Sequence, residues 1–484
     1  MKLKDLLQGI TVLETNADME VDIEAVAYDS RKVTEGSLFV AISGFASDGN
    51  RFIPMAMEKG AAVVVTAKKP DLDVPYVLVD NDRYALAMIG TNYYGHPAES
   101  MTMIGVTGTN GKTSTTMLLK QVLEKVLGAK VGLIGTMENL VGDEVIPTER
   151  TTPESFELQG LFARMRDAGC THVVMEVSSH AITLDRVGGV HFDMAAFTNL
   201  TEDHLDFHKT MQAYCEAKAE LFSRCDKAVI NTDDFYSIYM VEKAPHDTLT
   251  LSLTGNGDLN GVYPEYHAEG VSFEAVAGLD ERVTVHMPIP GKFTVYNALT
   301  VLGIAKQLGI SLEDGAKALE TARGVKGRIE VVPTPGKDYS VLIDYAHTPD
   351  ALENVLTAVK EFCKGRIIAV FGCGGDRDPI KRPIMGEIGV KLSDFAVITS
   401  DNPRTEEPAA IIEDILEGIQ DSKTPYKVME NRPEAIRWAV THAQSGDTVL
   451  LAGKGHETYQ ILKSGVIHLD EREVVAEALK ELNG

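Results

Sequence analysis

The stretch MTMIGVTGTNGKTSTTMLLKQVLEKV, residues 101–126, constrains the fold more than any other part of the chain. An apolar run enters a glycine-rich turn. The turn enters a segment with Met117, Leu118, Val122 and Val126 at helical spacing. Strand, glycine loop, Lys-Thr and helix, in that order, make a nucleoside-triphosphate cradle. Its glycines let backbone N–H groups approach phosphate oxygens. Lys112 would reach the β- and γ-phosphates, and the Thr113 hydroxyl would ligate Mg²⁺. The spacing departs from the strict G-x-x-x-x-G-K-[ST] form, since Val106 takes the first glycine position, flanked by Gly105 and Gly108. The competing reading is a glycine-rich turn with an incidental lysine. The strand before it and the helix after it favour the cradle.

A chain of 484 residues is too long for one hydrophobic core. Three sections emerge. In the first, residues 1–100, SLFVAI (37–42) and AAVVVTA (61–67) are expected strands. RFIPMAMEKG between them is an expected short helix ending at Gly60. The second, residues 101–330, adds the expected strands HVVMEV (172–177) and MAAFTNL (194–200). The third, residues 331–484, has SVLIDYA (340–346), RIIAVFG (366–372), FAVITS (395–400) and TVLLAG (448–453), with helical segments between them. Strands alternating with helices predict mostly parallel, doubly wound sheets. The turn-rich GVKGRIEVVPTPGKD is the expected boundary before the third section.

Charge narrows the partners. A formal net charge of −25 argues against a nucleic-acid or anionic-membrane binder. It does not exclude a phosphate ligand, which a local loop can hold through backbone N–H groups. The N-terminus lacks signal-peptide character, and no apolar run reaches transmembrane length. The five cysteines, Cys170, Cys215, Cys225, Cys363 and Cys373, lack zinc or disulfide-framework spacing. Reduced thiols and a cytoplasmic location are expected.

Ligands of open α/β sheets collect at the carboxyl ends of strands. Glu176 and His204 lie at or just beyond two such ends. An acid and an imidazole suit Mg²⁺ or Mn²⁺ beside phosphates. Alone, Glu176 is equally well a strand-end acid and His204 a helix-cap residue. Lys218 is more telling. Met211, Tyr214, Cys215, Leu221 and Phe222 recur at helical spacing, and Lys218 falls on the same stripe. A buried ammonium is costly unless paired or neutral. Either the amine snorkels to solvent, the commoner fate, or it is deprotonated and captures CO₂ as a metal-bridging carbamate.

Other motifs supply a clamp. GKFTVYNALT places Asn297 near the start of a helix, GVKGRIE carries Arg328, and LIDYAHTPDAL puts Asp344 and His347 at a strand end. An amide, a cation and an acid could hold adenine, phosphate and ribose. AVFGCGGDRD has Gly372 and Gly374, but Arg377 stands where a dinucleotide fingerprint needs its third glycine. Arg377 is then an anion contact. TSDNPRTEEP, residues 399–408, follows a strand with an acid, an amide, a proline and an arginine. It is either a turn or a loop holding something with a positive and a negative end.

The set GTNGKTST, TTPES, MEVSSHA, FTNLTEDHLDFH, YCEAKAELF, GRIE, DYAHTPDAL, GCGGDRD, SDNPRTEEP and AGKGHETYQ resembles the Mur ligases, in order over nearly the whole chain. The N-terminal AYDSRKV fits as well. The resemblance implies an α/β protein of three domains: a small UDP-binding domain, a central P-loop ATPase-like doubly wound sheet, and a C-terminal Rossmann-like domain that brings an amino acid. It implies ATP and Mg²⁺, with Gly108, Thr109, Asn110, Gly111, Lys112, Thr113 and Ser114 at the triphosphate and Asn297, Arg328 and Asp344 as the clamp. Thr113, Glu176, His204 and a carbamylated Lys218 would hold metal. Ser30, Thr151, Thr152, Ser178 and Arg186 would contact a UDP-N-acetylmuramoyl dipeptide. Arg377, Asp401, Asn402, Pro403, Arg404, Gly453 and Glu457 would form the pocket for meso-diaminopimelate. Arg404 would take the distal carboxylate, and Asp401 and Asn402 the distal ammonium and polar edge.

One departure is Leu184, where some family members carry Gln. That contact to the nucleotide substrate is absent here. A monomer that inserts in no membrane is expected. For the amine-attack base, His180 and His347 are the candidates. Folylpolyglutamate synthetase, a lysine-adding ligase of the same family and a nucleotide-gated binding module remain as alternatives.

Overall fold

The computed structural model describes residues 1–44, 48–148, 150–420 and 422–483. The chain forms two compact units, Met1–Leu251 with Gly303–Ile310, and Ser252–Leu302 with Ser311–Gly484.

The first unit contains two sheets. The N-terminal one has strand order Val12–Thr15, Tyr76–Val79, Val63–Thr66, Ser37–Ala41, Ala25–Ala27. It is parallel except for the pair Val12–Thr15 and Tyr76–Val79. Ser37–Ala41 and Val63–Thr66 are continuously buried, as strands covered on both faces must be. Helix Asp82–Tyr93 covers this sheet; the Asn81 side chain caps it by accepting from the Arg83 and Tyr84 N–H groups.

In the second sheet of this unit, Thr102–Thr107 lies at the centre. On one side run Phe192–Phe197, Cys225–Asn231 and Thr248–Ser252; on the other run His172–Glu176 and Val131–Ile134. These six strands are parallel. Asn139–Val141 and Glu144–Ile146 extend the edge antiparallel. The parallel order brings the carboxyl ends of Thr102–Thr107, His172–Glu176 and Phe192–Phe197 side by side. Every metal and phosphate candidate of this unit follows or ends one of these strands or lies on a helix packed there.

The second unit has an antiparallel meander, Leu259–His267, Gly270–Ala277 and Glu281–Met287, which no sequence pattern announced. Its larger sheet runs Glu330–Val332, Ser340–Asp344, Thr448–Ala452, Ile367–Phe371, Phe395–Ile398, Tyr426–Val428. All its pairs are parallel except the first. Strand residues alternate between two cores. Leu342, Ala369 and Leu450 meet the helices Pro349–Lys360, Lys381–Leu392 and Pro408–Glu417. Val341, Ile368 and Val449 meet Arg432–His442 and Glu471–Asn483. This is the doubly wound arrangement. Glu330–Val332 is an edge strand inside the stretch 324–338, where the sequence predicts a turn-rich boundary.

Among the described residues, no helix is long and apolar enough to cross a membrane.

Candidate functional site

The glycine loop leaves the buried strand Thr102–Thr107 and enters the helix Lys112–Leu127. Gly108 has φ +147°, and a Cβ there would lie 1.9 Å from Thr198 Oγ1. Only glycine permits this approach. The next strand's end holds the loop from below. Thr109 N–H donates to the Asn199 carbonyl at 2.8 Å, Asn110 N–H to Asn199 Oδ1 at 2.9 Å, and Thr198 Oγ1 to the Asn110 carbonyl at 2.6 Å.

Two lysines converge on this loop. Lys112 Nζ donates to the carbonyls of Gly108 at 2.9 Å and Thr109 at 2.8 Å. Lys218 Nζ donates to the same Gly108 carbonyl at 2.7 Å. Lys218 is only 1 % exposed, so it does not snorkel. Burial first, and then the positive charge of Lys112, push its pKa well below the usual lysine range.

Glu176 is buried at its strand end and gathers hydroxyls. Thr113 Oγ1 donates to Glu176 Oε1 at 2.9 Å. Thr136 donates to Glu176 through its N–H at 2.9 Å and its hydroxyl at 3.0 Å. An all-oxygen pair of buried carboxylate and threonine hydroxyl suits a hard cation such as Mg²⁺. His204 is exposed, with φ +54°, at the start of the short helix Leu205–His208. Its ring stands 4.9 Å from His180 and 6.1 Å from Tyr214. The Tyr214 ring also faces Lys218 Nζ at 4.7 Å, and its hydroxyl shares a hydrogen bond with Thr109 at 3.1 Å. Burial pushes the Tyr214 phenol up to about 12. Among the described residues, no group of three or more His, Cys, Asp or Glu is arranged to hold a metal ion.

The nucleotide-sugar candidates adjoin Glu176. Thr152 Oγ1 donates to the Glu176 carbonyl at 2.8 Å, and Arg186 Nη1 to the Thr152 carbonyl at 3.1 Å. Thr136 Oγ1 reaches Thr151 Oγ1 at 3.0 Å, and Ser178 caps helix Ser179–Thr183. Ser30 is buried in a 3₁₀ turn after Asp29, whose carboxyl Arg31 holds down at about 2. Leu184 is buried.

In the second unit, Asp344 ends its strand and accepts from the Ile329 N–H at 2.8 Å and the Ala346 N–H at 2.9 Å. Burial pushes its carboxyl up, and Arg328 opposes that shift. Arg328 lies over the Tyr345 ring at 5.5 Å. Asn297 is buried on helix Lys292–Gln307. His347 is exposed.

The loop 401–404 follows strand Phe395–Ile398, beside the segment 453–461. Asn402 Nδ2 donates to Glu457 at 2.9 Å, while its Oδ1 accepts from Lys454 Nζ at 3.0 Å and Ile461 N–H at 2.9 Å. Its amide therefore ties two loops together. Asp401 Oδ1 accepts from the Asn402 N–H at 2.6 Å, and its Oδ2 is buried without a hydrogen bond. Gly453 has φ +119°, and a Cβ there would meet Asp401 Oδ2 at 2.6 Å. Arg404 is half-buried with φ +54°, and its Nη1 donates to the Gly375 carbonyl at 2.7 Å. Pro403 is buried between them, and Arg377 is exposed.

This geometry has relatives. Residues 106–305 match the Mur ligase middle domain, residues 327–455 the Mur ligase glutamate ligase domain, and residues 22–94 the Mur ligase family catalytic domain. A UDP-N-acetylmuramoyl-L-alanyl-D-glutamate--2,6-diaminopimelate ligase from Clostridium tetani is 47% identical over the full length of both chains. One from Clostridium acetobutylicum is 49% identical, again over both whole chains. The chain belongs to the Mur ligase family. A solved structure of a UDP-N-acetylmuramoyl-L-alanyl-D-glutamate--2,6-diaminopimelate ligase, 30% identical, superposes with a TM-score of 0.76 over 100% of this chain and 99% of that one. The fold alone is shared with Mycobacterium tuberculosis folylpolyglutamate synthase, 17% identical, at a TM-score of 0.59 over 83% of this chain and 95% of that one.

As a Mur ligase the chain is an α/β enzyme of three domains. Several residues that engage the site were not singled out in the sequence. In the sequence Tyr214 is one member of an apolar stripe. Thr136 follows a strand without any motif. Lys454, fully buried beside Asn402 and Glu457, lies in AGKGHETYQ, where a lysine directly after an apolar strand was the available signal.

Proposed function

We propose that this chain is the ligase that joins meso-diaminopimelate to UDP-N-acetylmuramoyl-L-alanyl-D-glutamate, using ATP, in peptidoglycan precursor synthesis. The observation that carries the chemistry is the Thr113–Glu176 hydrogen bond of 2.9 Å beside two lysines on one carbonyl of the glycine loop. The full-length relatives carry the choice of substrates.

In the reaction, one of the two free carboxylates of the D-glutamyl residue attacks the γ-phosphorus of ATP, giving an acyl phosphate and ADP. The amino group of diaminopimelate then attacks the acyl carbon through a tetrahedral intermediate. The C–N bond forms, the proton leaves the amine and phosphate departs. Positioning and charge neutralisation dominate such phosphoryl transfers. The N-terminal N–H groups of the helix Lys112–Leu127 and the Lys112 ammonium orient the triphosphate. Lys112 exchanges its present carbonyl contacts for phosphate oxygens. Thr113 and Glu176, with His204 and a carbamylated Lys218, would hold Mg²⁺. That ion would supply further neutralisation of the phosphate charge. Asn297, Arg328 and Asp344 clamp the nucleoside. Ser30, Thr151, Thr152, Ser178 and Arg186 hold the UDP precursor.

Domain boundaries near residues 100 and 330 belong to this reading, with UDP bound N-terminally and the amino acid C-terminally. So do a monomeric state and a cytoplasmic location. The deciding experiment scores ATP turnover with the UDP-muramoyl dipeptide and lysine, ornithine or meso-diaminopimelate. Turnover is expected with meso-diaminopimelate above the others. Preference for lysine would overturn the substrate assignment, and phosphate release independent of the dipeptide would overturn the ligase assignment for this precursor.

A further inference from the structure

Three guanidiniums surround one carboxylate beside the phosphate loop. Arg83 Nη1 lies 3.8 Å from Glu154 Oε2, Arg150 Nη1 3.7 Å and Arg186 Nε 3.5 Å. None of the three contacts is a hydrogen bond. Arg83 Nη1 and Arg186 Nε are buried and have no acceptor. Among the described residues, the only side-chain hydrogen bond from this trio is that of Arg186 Nη1 to the Thr152 carbonyl, at 3.1 Å. A guanidinium carries a fork of donors and no acceptor, so burial without partners is costly.

The setting favours an anion. Glu154 is the N-cap of the 13-residue helix Ser155–Asp167, and its side chain makes no capping hydrogen bond. The first helical residue, Ser155, is buried and its hydroxyl is unpartnered. A helix N-terminus attracts negative charge. Among the described residues, the acidic side chains in contact with the cluster or bonded beside it are Glu154 and Glu157. Glu157 is bonded to the Tyr28 hydroxyl, whose own ionisation burial and Glu157 suppress. Among the described residues, three arginines stand against Glu154 and Glu157, an excess of one positive charge. Glu154 holds the arginines together against their mutual repulsion.

The cluster adjoins the reaction centre through direct contacts. Arg186 bonds the Thr152 carbonyl, Thr152 bonds the Glu176 carbonyl, and Glu176 bonds Thr113 of the phosphate loop. The terminal glutamate of the precursor carries two carboxylates, separated by a short chain. One of them is activated at the phosphate loop, so the other must be held close by.

We infer that Arg83 and Arg150, together with Arg186, form the site for the non-reacting carboxylate of that terminal glutamate. Arg83 acts from the helix Asp82–Tyr93, which covers the N-terminal sheet. The inference rests on the proposed substrate. A planar guanidinium fork matches a carboxylate bidentately, which a lysine cannot reproduce.

The test uses the full-length enzyme with UDP-muramoyl-L-alanyl-D-glutamate, its analogue with the non-reacting carboxylate converted to an amide, and UDP alone. Wild-type turnover with the dipeptide, ATP and diaminopimelate checks the underlying reading independently. Arg83→Gln and Arg83→Lys are compared with wild type, with thermal unfolding as the control for folding. The expected result is a KM for the dipeptide raised roughly tenfold or more in both variants, with KM for ATP and diaminopimelate unchanged. Wild type should bind the amide analogue more weakly than the dipeptide, and Arg83→Gln should narrow that difference. A folded, active Arg83→Gln with the wild-type KM overturns the inference. Equal loss of affinity for UDP alone also overturns it and gives the cluster to the diphosphate instead.

Discussion

The Lys218 ammonium donates to the Gly108 carbonyl at 2.7 Å, from a side chain that is almost wholly buried. A lysine so desolvated, with Lys112 nearby, is driven towards the neutral amine. Only the neutral amine can attack CO₂, forming an N–C bond and releasing a proton. The carbamate is an anion, and it would exchange the carbonyl contact for a cation. Lys218→Ala should therefore lose roughly 100-fold or more in turnover. A short-chain carboxylic acid in the buffer should restore part of the loss. Full activity in the variant, without added acid, would exclude a carbamate role.

The same burial has a stability consequence. Without the carbamate, Lys218 titrates in the folded protein well below its ordinary 10.5. Between the lowered value and 10.5 the unfolded chain binds more protons at this site than the folded one. Stability contributed by this site therefore rises with pH across that window and is lowest on its acid side. Lys218→Met should remove this dependence. Its thermal midpoint should match or exceed that of wild type, with the larger gain at pH 6 than at pH 9. An inactive variant that unfolds later than wild type would separate the function of this lysine from its cost to the fold. Earlier unfolding at every pH would show that the Gly108 hydrogen bond outweighs the desolvation of the amine.

Gly108→Ala tests the loop itself. The added methyl meets Thr198 Oγ1 at 1.9 Å, at a φ of +147° that side chains rarely adopt. Either Thr198 or the loop must move, at a cost of about 2–4 kcal/mol. The displaced Gly108 carbonyl would also release both lysines. Equilibrium nucleotide binding should fall roughly tenfold or more, and the effect should exceed that of Ser114→Ala. Unchanged nucleotide affinity would show that the loop geometry is dispensable.

Much of this was legible in residue order, and the reasons are local. Strand, glycine loop and helix at 101–126 are contiguous, so their pattern is complete within one stretch. Lys218 betrays its burial through the apolar residues at helical spacing around it. The antiparallel meander at 259–287 is different. Its strands mix exposed and buried positions, and His267, Glu274 and Arg282 interrupt the apolar pattern. Long-range partnerships are hidden in the same way. Thr136 meets Glu176 across 40 residues, and Asn402 meets Glu457 across 55. The sequence shows Asn402 as a polar side chain in a loop. The fold gives its amide three partners, so it shapes the loop as well as polarising it. Arg83 and Arg186 meet at Glu154 because the helix Asp82–Tyr93 packs on the helix Ser155–Asp167, which no spacing rule encodes.

Loop 401–404 supports the last prediction. The Arg404 backbone is held in the left-handed region, with its N–H on the Ile461 carbonyl at 3.1 Å. Among the described residues its guanidinium is engaged through Nη1, by the Gly375 carbonyl at 2.7 Å and that of Asn402 at 3.4 Å. The Nε–Nη2 edge is the fork that a carboxylate fits bidentately. Diaminopimelate has a distal carboxylate to place there, and lysine does not. With lysine bound, the desolvated fork would face no partner, and that is how a polar site rejects the lesser analogue. Arg404→Ala should raise KM for diaminopimelate roughly 100-fold and leave KM for ATP and the UDP precursor within about twofold. Discrimination against lysine should collapse in the same variant. Arg404→Lys should recover only a fraction, because an ammonium is a point charge without the fork. A uniform rise in all three KM values would instead assign Arg404 to holding the loop against Gly375, with diaminopimelate selected elsewhere.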